Sequence, residues 1–214
     1  MKAKYSITLI VLLLLNSCAL KSLQPFYIKS AVSYQENFIG KWQDTDEGVW
    51  EVKALKDEFE KEKNPISKED KQTFEQYKEG YFISYTKDDK NGTFLAMPFK
   101  VNNELFIDFV LFDYDTKSLN KLVKASIIET HTLAKVNFLK NGNVELKWFD
   151  EDKIKDLLDK NQLKIKHEEL GLNETLLLTA SSDELYAFLK KYTVSNTKDK
   201  WETDTEFILS KVDE

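Results

Sequence analysis

YFISYTKDDKNGTFLAMPFKVNNELFIDFVLF, residues 81–112, is the stretch that decides the fold. Residues 81–86 alternate apolar and polar side chains, which suits a strand with one buried face. Asp88-Asp89-Lys90-Asn91-Gly92 follows, and an Asn-Gly pair between alternating apolar runs is the strongest short hairpin signal. The chain returns over residues 93–101, turns at Asn102-Asn103 and runs out again over 104–112. Three strands joined by such short turns are an antiparallel meander.

The same pattern extends in both directions. Upstream, residues 37–46 and 49–55 read as two strands around a turn at Asp46-Glu47-Gly48. Residues 56–79 are highly charged and read as an excursion, with a short helix at 67–72 and a strand entry at 73–78. Downstream, a loop at 113–120 precedes a long strand over 126–139, a turn at Asn141-Gly142 and a return over 144–149. Two helices are then expected. Asp150 caps one over 151–160, with Ile154, Leu157 and Leu158 on its apolar face and Phe149 and Ile154 at the staple positions. Ser181 and Glu184 form a capping box for the other over 182–192, whose Leu185, Phe188, Leu189 and Tyr192 recur at helical spacing. Residues 163–167 and 175–179 read as strands between the helices, and 207–212 as a closing strand. The expected fold is mainly β: an antiparallel up-and-down barrel with helices inserted late in the chain. Closure removes exposed edges. An open sheet capped by the helices is the alternative.

The chain begins differently. Lys2 and Lys4 precede an apolar run from Ile7 to Leu15, and Leu15-Asn16-Ser17-Cys18 closes it. A charged start, a short apolar run and small residues before a break make a secretory signal. The run is shorter than the roughly 20 apolar residues that span a bilayer. Cys18 is the only cysteine. Leu15, Ser17 and Cys18 resemble the bacterial lipobox, with Asn16 a departure from the usual residue. The resemblance implies cleavage before Cys18, lipid on its sulfur and an acyl chain on its amino group. Residues 1–17 are then a signal peptide, 18–36 a lipidated tether with an early ordered piece, and 37–214 one barrel domain. Ala19 lacks the aspartate that resembles an inner-membrane retention signal. The expected location is the cell envelope, at the periplasmic face of the outer membrane.

Composition limits the partners. The leader carries two lysines and no acid, so its removal takes the formal charge from −6 to −8. An acidic chain does not suit phosphate neutralisation, and no nucleic-acid partner is expected. Lipid on the only thiol leaves no disulfide, so the fold rests on its core. Arginine is absent, and with it the guanidinium fork that clamps carboxylates and phosphates.

Two further resemblances bear on the domain. Gly40-Lys41-Trp42 on the first strand resembles the G-x-W signature of the lipocalins and wider calycins. There the glycine lets the backbone bend and the tryptophan plugs one end of the barrel. The chain departs from that family in lacking disulfides and an identifiable basic residue to pack on the tryptophan. The order G-x-W, Phe106-Ile107-Asp108, residues 129–136 and Leu178-Thr179-Ala180-Ser181 looks like a group of uncharacterised bacterial lipoproteins. That group implies a fold and a location, and no chemistry.

Four residues are candidates for a ligand pocket: Trp42, Tyr85, Asp108 and His131. Thr132, Ala134 and Val136 form the core face of their strand, which sends His131, Glu129 and Lys135 outward. His131 then either grips a ligand or is a solvated or singly hydrogen-bonded histidine. Asp108 shares a face with Phe106 and Val110, so its carboxylate is either buried and paired or lines a cavity. Trp42, Tyr85 and the other strand aromatics suit an apolar ligand or an ordinary core. Two distant histidines give no zinc spacing, and Asp44-Thr45-Asp46-Glu47-Gly48 lacks the full calcium-loop pattern. There is no G-x-S-x-G elbow or glycine-rich phosphate loop. No enzymatic activity and no cofactor are expected. The expected function is a lipid-anchored binder of a small apolar or amphipathic ligand. Its alternatives are a structural lipoprotein docking onto an envelope protein partner and, more remotely, an enzyme on a barrel scaffold.

Overall fold

The computed structural model describes residues 19–61, 67–114, 120, 122–123 and 126–212. The expected leader and Cys18 lie outside the described residues, as does most of the expected loop at 113–120. The elements that build the barrel are β2 (Gly40–Gln43), β3 (Val49–Ala54), β4 (Tyr81–Lys87), β5 (Lys90–Val101), β6 (Glu104–Tyr114), β7 (His131–Phe138), β8 (Val144–Trp148) and β11 (Glu206–Lys211). Each pairs antiparallel with the next, and β11 closes the ring between β8 and β2. This is an eight-stranded up-and-down barrel. Beside it lies a small flap made of β1 (Lys21–Ser22), β10 (Thr175–Leu178) and β9 (His167–Leu170), attached where β1 pairs with β7. The helices are α1 (Leu55–Lys61), α2 (Lys68–Tyr77), α3 (Glu151–Asp159) and α4 (Ser182–Val194).

Strand alternation divides the apolar residues between two cores. Inward residues from all eight barrel strands meet, among them Trp42, Trp50, Val52, Tyr81, Ile83, Ala96, Ile107, Phe109, Ala134, Val136, Leu146 and Leu209. Outward residues of β5, β6 and β7 (Leu95, Met97, Phe99, Phe106, Val110, Leu133) form a second core. It is covered by Leu20 and Phe26 of the N-terminal segment, Ile154 and Leu157 of α3, and Leu185, Phe188 and Leu189 of α4. This is why residues 93–112 read as nearly continuous apolar sequence: both faces of that hairpin are buried.

Side chains occupy the barrel interior. Phe38 lies 5.3 Å from Tyr81 and 6.3 Å from Trp42, ring centre to ring centre. Further along, Trp50 stands 4.7 Å from Tyr85 and 5.7 Å from Phe207, and Trp148 lies 5.2 Å from Phe109 and 5.5 Å from Phe207. Trp42 is fully buried, and its indole N–H donates to the Phe38 carbonyl at 3.0 Å. The Lys211 ammonium sits 5.5 Å above its ring. That is the basic partner absent from the sequence reading, and it stands on the closing strand at the other end of the chain. Gly40, with φ +134°, bends the chain just ahead of Trp42 in a conformation that side chains rarely adopt. Gly48 answers to space instead: a Cβ there would lie 2.4 Å from the Tyr85 ring.

Several elements differ from expectation. The β4–β5 turn falls at Asp88-Asp89, both with positive φ, and Asn91-Gly92 lies within β5 opposite Thr86 and Tyr85. Aspartate tolerates that backbone because its short polar side chain bonds locally, and the ladder then runs unbroken from Lys87–Lys90 to Tyr81–Ala96. The excursion holds two helices, so residues 73–77 are helical and not a strand entry; Phe59 stacks on Phe74 at 4.3 Å and holds α1 to α2. Strand β7 begins only at His131, because the ladders with β6 and β1 both end there. The strand expected at 163–167 lies at His167–Leu170, where the Gly171 turn sets it opposite β10. Both predicted caps are present: Asp150 accepts the Lys153 N–H, and Ser181 and Glu184 form a reciprocal capping box.

Trp42→Ala should remove about 3–5 kcal/mol of stability, the usual cost of deleting a large buried aromatic. Urea unfolding of the purified mature domain is the measurement, and a midpoint equal to wild type would reject Trp42 as the barrel plug.

Candidate functional site

The four candidate residues fall on two sides of the barrel wall. Trp42 and Tyr85 belong to the interior. Asp108 and His131 are brought together on the outer face, under the N-terminal segment. Asp108 stands on β6 and His131 on β7, two residues out of direct register, because Asp108 pairs with Leu133 and Val110 with His131. This offset keeps both side chains on one face.

The geometry at this pair is tight. His131 Nδ1 lies 2.6 Å from Asp108 Oδ1, and Asp108 Oδ2 accepts the backbone N–H of Phe26 at 2.8 Å. The Asp108 side chain is fully buried, and that of His131 keeps 11 % of its surface exposed. With both oxygens of Asp108 accepting, Nδ1 of His131 carries the donated proton. Its Nε2 has no protein partner among the described residues. Of the readings open for His131, the singly hydrogen-bonded one describes it. Asp108 is buried and paired, with a histidine and a backbone amide as its partners.

Two tyrosines border the pair. Burial, and after it the Asp108 charge, raises the Tyr27 hydroxyl well above its ordinary range. The same causes in the same order push Tyr77 up to about 12. Ser22 stands directly opposite His131 in the β1–β7 pairing, so Asp, His and Ser lie on one face. Ser22 Oγ is spent elsewhere: it donates to the Leu178 carbonyl at 3.4 Å and accepts the Gln24 N–H at 3.2 Å. Ser22 is also completely buried. The arrangement has an orienting carboxylate and an oriented imidazole, and no hydroxyl aligned on Nε2 among the described residues. What it does in this structure is clasp the N-terminal segment to the barrel.

Inside the barrel, Tyr85 lies at the mouth that faces the β2–β3 turn. Asp44 is the organiser there. Its carboxylate accepts the N–H of Asp46 at 2.9 Å, that of Gly48 at 2.7 Å and the Trp50 indole N–H at 2.8 Å. Burial, then the Asp44 charge, raises the Tyr85 hydroxyl to about 12. In the sequence Asp44 stands out only as part of a calcium-like run. The bond to the Trp50 indole spans the hairpin turn, and no spacing rule for that run signals it. Among the described residues no three His, Cys, Asp or Glu side chains gather at a metal-binding distance.

A cleft of about 980 Å³ opens outside the barrel, between α3, residues 160–167 and α4. Leu157, Leu163, Ile165, Ala187 and Phe188 form its apolar part, and Lys164, Lys191 and Glu184 its polar part. Helical spacing assigns Leu157 and Phe188 to core faces and gives no sign of the gap between the helices. Comparison of the chain with protein-family models, with curated proteins and with solved structures gives no match.

Asp108→Ala leaves two buried donors, Phe26 N–H and His131 Nδ1–H, without an acceptor. It should cost roughly 1–3 kcal/mol for each, read as a lower urea midpoint. Alkaline titration gives a second check. A tyrosine whose folded value is raised contributes stability that is present below its ordinary value of 10.0 and lost as the pH rises through about 12. Wild type should therefore lose stability across that window, and Asp108→Ala should shift the Tyr77 ionisation downward; an unchanged tyrosine absorbance titration would sink this account.

Proposed function

We propose that this chain is a lipid-anchored cell-envelope protein, held through Cys18 and acting without catalysis by docking its surface onto an envelope protein. The observation that carries the docking reading is the filled barrel. Rings from Trp42, Trp50, Phe109, Trp148 and Phe207 occupy the space that a small apolar ligand would need. Support for the anchor comes from the leader and from the lone cysteine at its end. Among the described residues no helix is long and apolar enough to cross a membrane. One acyl chain gives marginal attachment and several give lasting attachment. The outer membrane, periplasmic face, is the proposed location.

A second reading, small-ligand binding, has one observation in its favour: the cleft between α3 and α4. Its size falls within the range of ordinary ligand pockets, roughly 300–1,000 Å³. An amphipathic molecule would lie on Leu163 and Phe188 with its polar end toward Lys164 or Lys191.

Cells labelled with a fatty-acid probe should show label on the wild-type chain and none on Cys18→Ser; undiminished label on the variant would reject the anchor. A fluorescent apolar probe separates the two readings. Docking predicts no saturable uptake by the purified protein. Uptake abolished by Ala187→Trp, which narrows the cleft, would favour the ligand reading. Uptake unaffected by that change would put the probe in the barrel and reject the filled interior.

A further inference from the structure

The N-terminal segment fixes where the lipid leaves the fold. Ala19, the residue after Cys18, is bridged to Asp150, and Leu20 N–H donates to the Phe149 carbonyl at 2.9 Å. Ala19, to which Cys18 is peptide-bonded, is thus held by the fold on the side of the domain where β1 begins.

The β9–β10 hairpin points the same way. β1 pairs parallel with β10, Lys21 opposite Leu177 and Ser22 opposite Leu178. β1 and β10 therefore begin at the same end of the flap, and Thr175, the first residue of β10, is paired with Leu170 on β9. With neighbouring strands about 4.8 Å apart, β9 lies two strands, on the order of 10 Å, from β1. The turn at residues 171–174 precedes Thr175, so it projects at the end of the flap where β1 begins. At its tip Leu172 is fully exposed, Leu170 is 43 % exposed, and a Cβ on Gly171 would meet nothing within 4 Å. Among the described residues nothing covers Leu172.

We infer that the β9–β10 turn, through Leu172 and Leu170, is a membrane-contacting finger that inserts into the lipid surface beside the acylated Cys18. The inference rests on the proposed lipid anchor. Three carboxylates flank the finger, Glu168, Glu169 and Glu174. Glu169 and Glu174 are both drawn to Lys155, at 3.2 and 3.7 Å, which offsets one of the charges that anionic head groups would repel. Lys155 also donates to the Glu174 carbonyl at 3.2 Å and ties the turn to α3. The finger is therefore braced, and together with the lipid it makes a second point of attachment that sets the orientation of the barrel on the membrane.

The test uses the full lipidated chain in vesicles of phosphatidylethanolamine and phosphatidylglycerol. The sulfur of Cys18 is taken by its thioether, so Leu172→Cys offers one thiol for an environment-sensitive dye. A dye at Lys90→Cys serves as reference, because the β4–β5 turn lies at the opposite end of the barrel strands. The expected result is a blue shift at position 172 and loss of emission to a quencher carried on the lipid head group, with neither at position 90. A dye at 172 that stays aqueous while the protein floats with the vesicles would overturn the finger and leave the anchor standing. Protein that fails to float would overturn the anchor, and the finger with it.

Discussion

Strand β7 needs hydrogen-bond partners along both edges, and β8 supplies them for only part of one. β8 pairs with residues 134–138, and Phe149 N–H then reaches the Leu133 carbonyl before the chain turns away into α3. Residues 131 and 132 would be left with unpaired backbone groups in an apolar setting, which costs about 1–3 kcal/mol for each group. β1 fills that gap. Lys21 and Ser22, near the start of the described chain, complete an edge that the barrel meander leaves open. The flap follows from this, since β1 presents its other edge to β10, and β10 to β9.

The clasp at Asp108 belongs to the same arrangement. Once β1 is seated, the chain continues past Pro25 across the outer face of β6, and Phe26 is buried there. Its N–H would be lost to water, and Asp108 accepts it. His131 meets the other oxygen of the same carboxylate. A carboxylate flanked on its strand by Phe106, Ile107, Phe109 and Val110 thereby serves the backbone as acceptor, serves the imidazole as acceptor, and supplies part of the field that holds Tyr27 and Tyr77 protonated. Buried polar groups that are fully met in this way fix one arrangement of the parts around them.

The position of the segment gives the proposed anchor a mechanical meaning. A lipid on a flexible tether would let the domain tumble above the bilayer. Here residues 19–36 of the expected tether lie along the barrel with Leu20 and Phe26 buried. The lipid would be attached next to a residue already bridged to the fold. The hydrophobic cost of peeling that strand off, with its backbone bonds and the Asp108 clasp, opposes any loosening of the domain from its anchor.

Local patterns by themselves determined the meander. Alternation along residues 81–86, the turn at Asn102-Asn103 and the caps at Asp150 and Ser181 are short-range signals, and each is present in the structure. The up-and-down barrel followed because consecutive short connections leave few other ways to bury one face of so many strands. Tertiary structure decided what depended on partners far away in sequence. The turn moved from Asn91-Gly92 to Asp88-Asp89 because register is settled over the whole ladder. Lys211 came to Trp42, and Asp108 to His131 and Phe26, across separations that no periodicity encodes. Whether the barrel interior was hollow depended on the rotation of Trp50, Trp148 and Phe207 toward one another, and alternation tells only that each points inward.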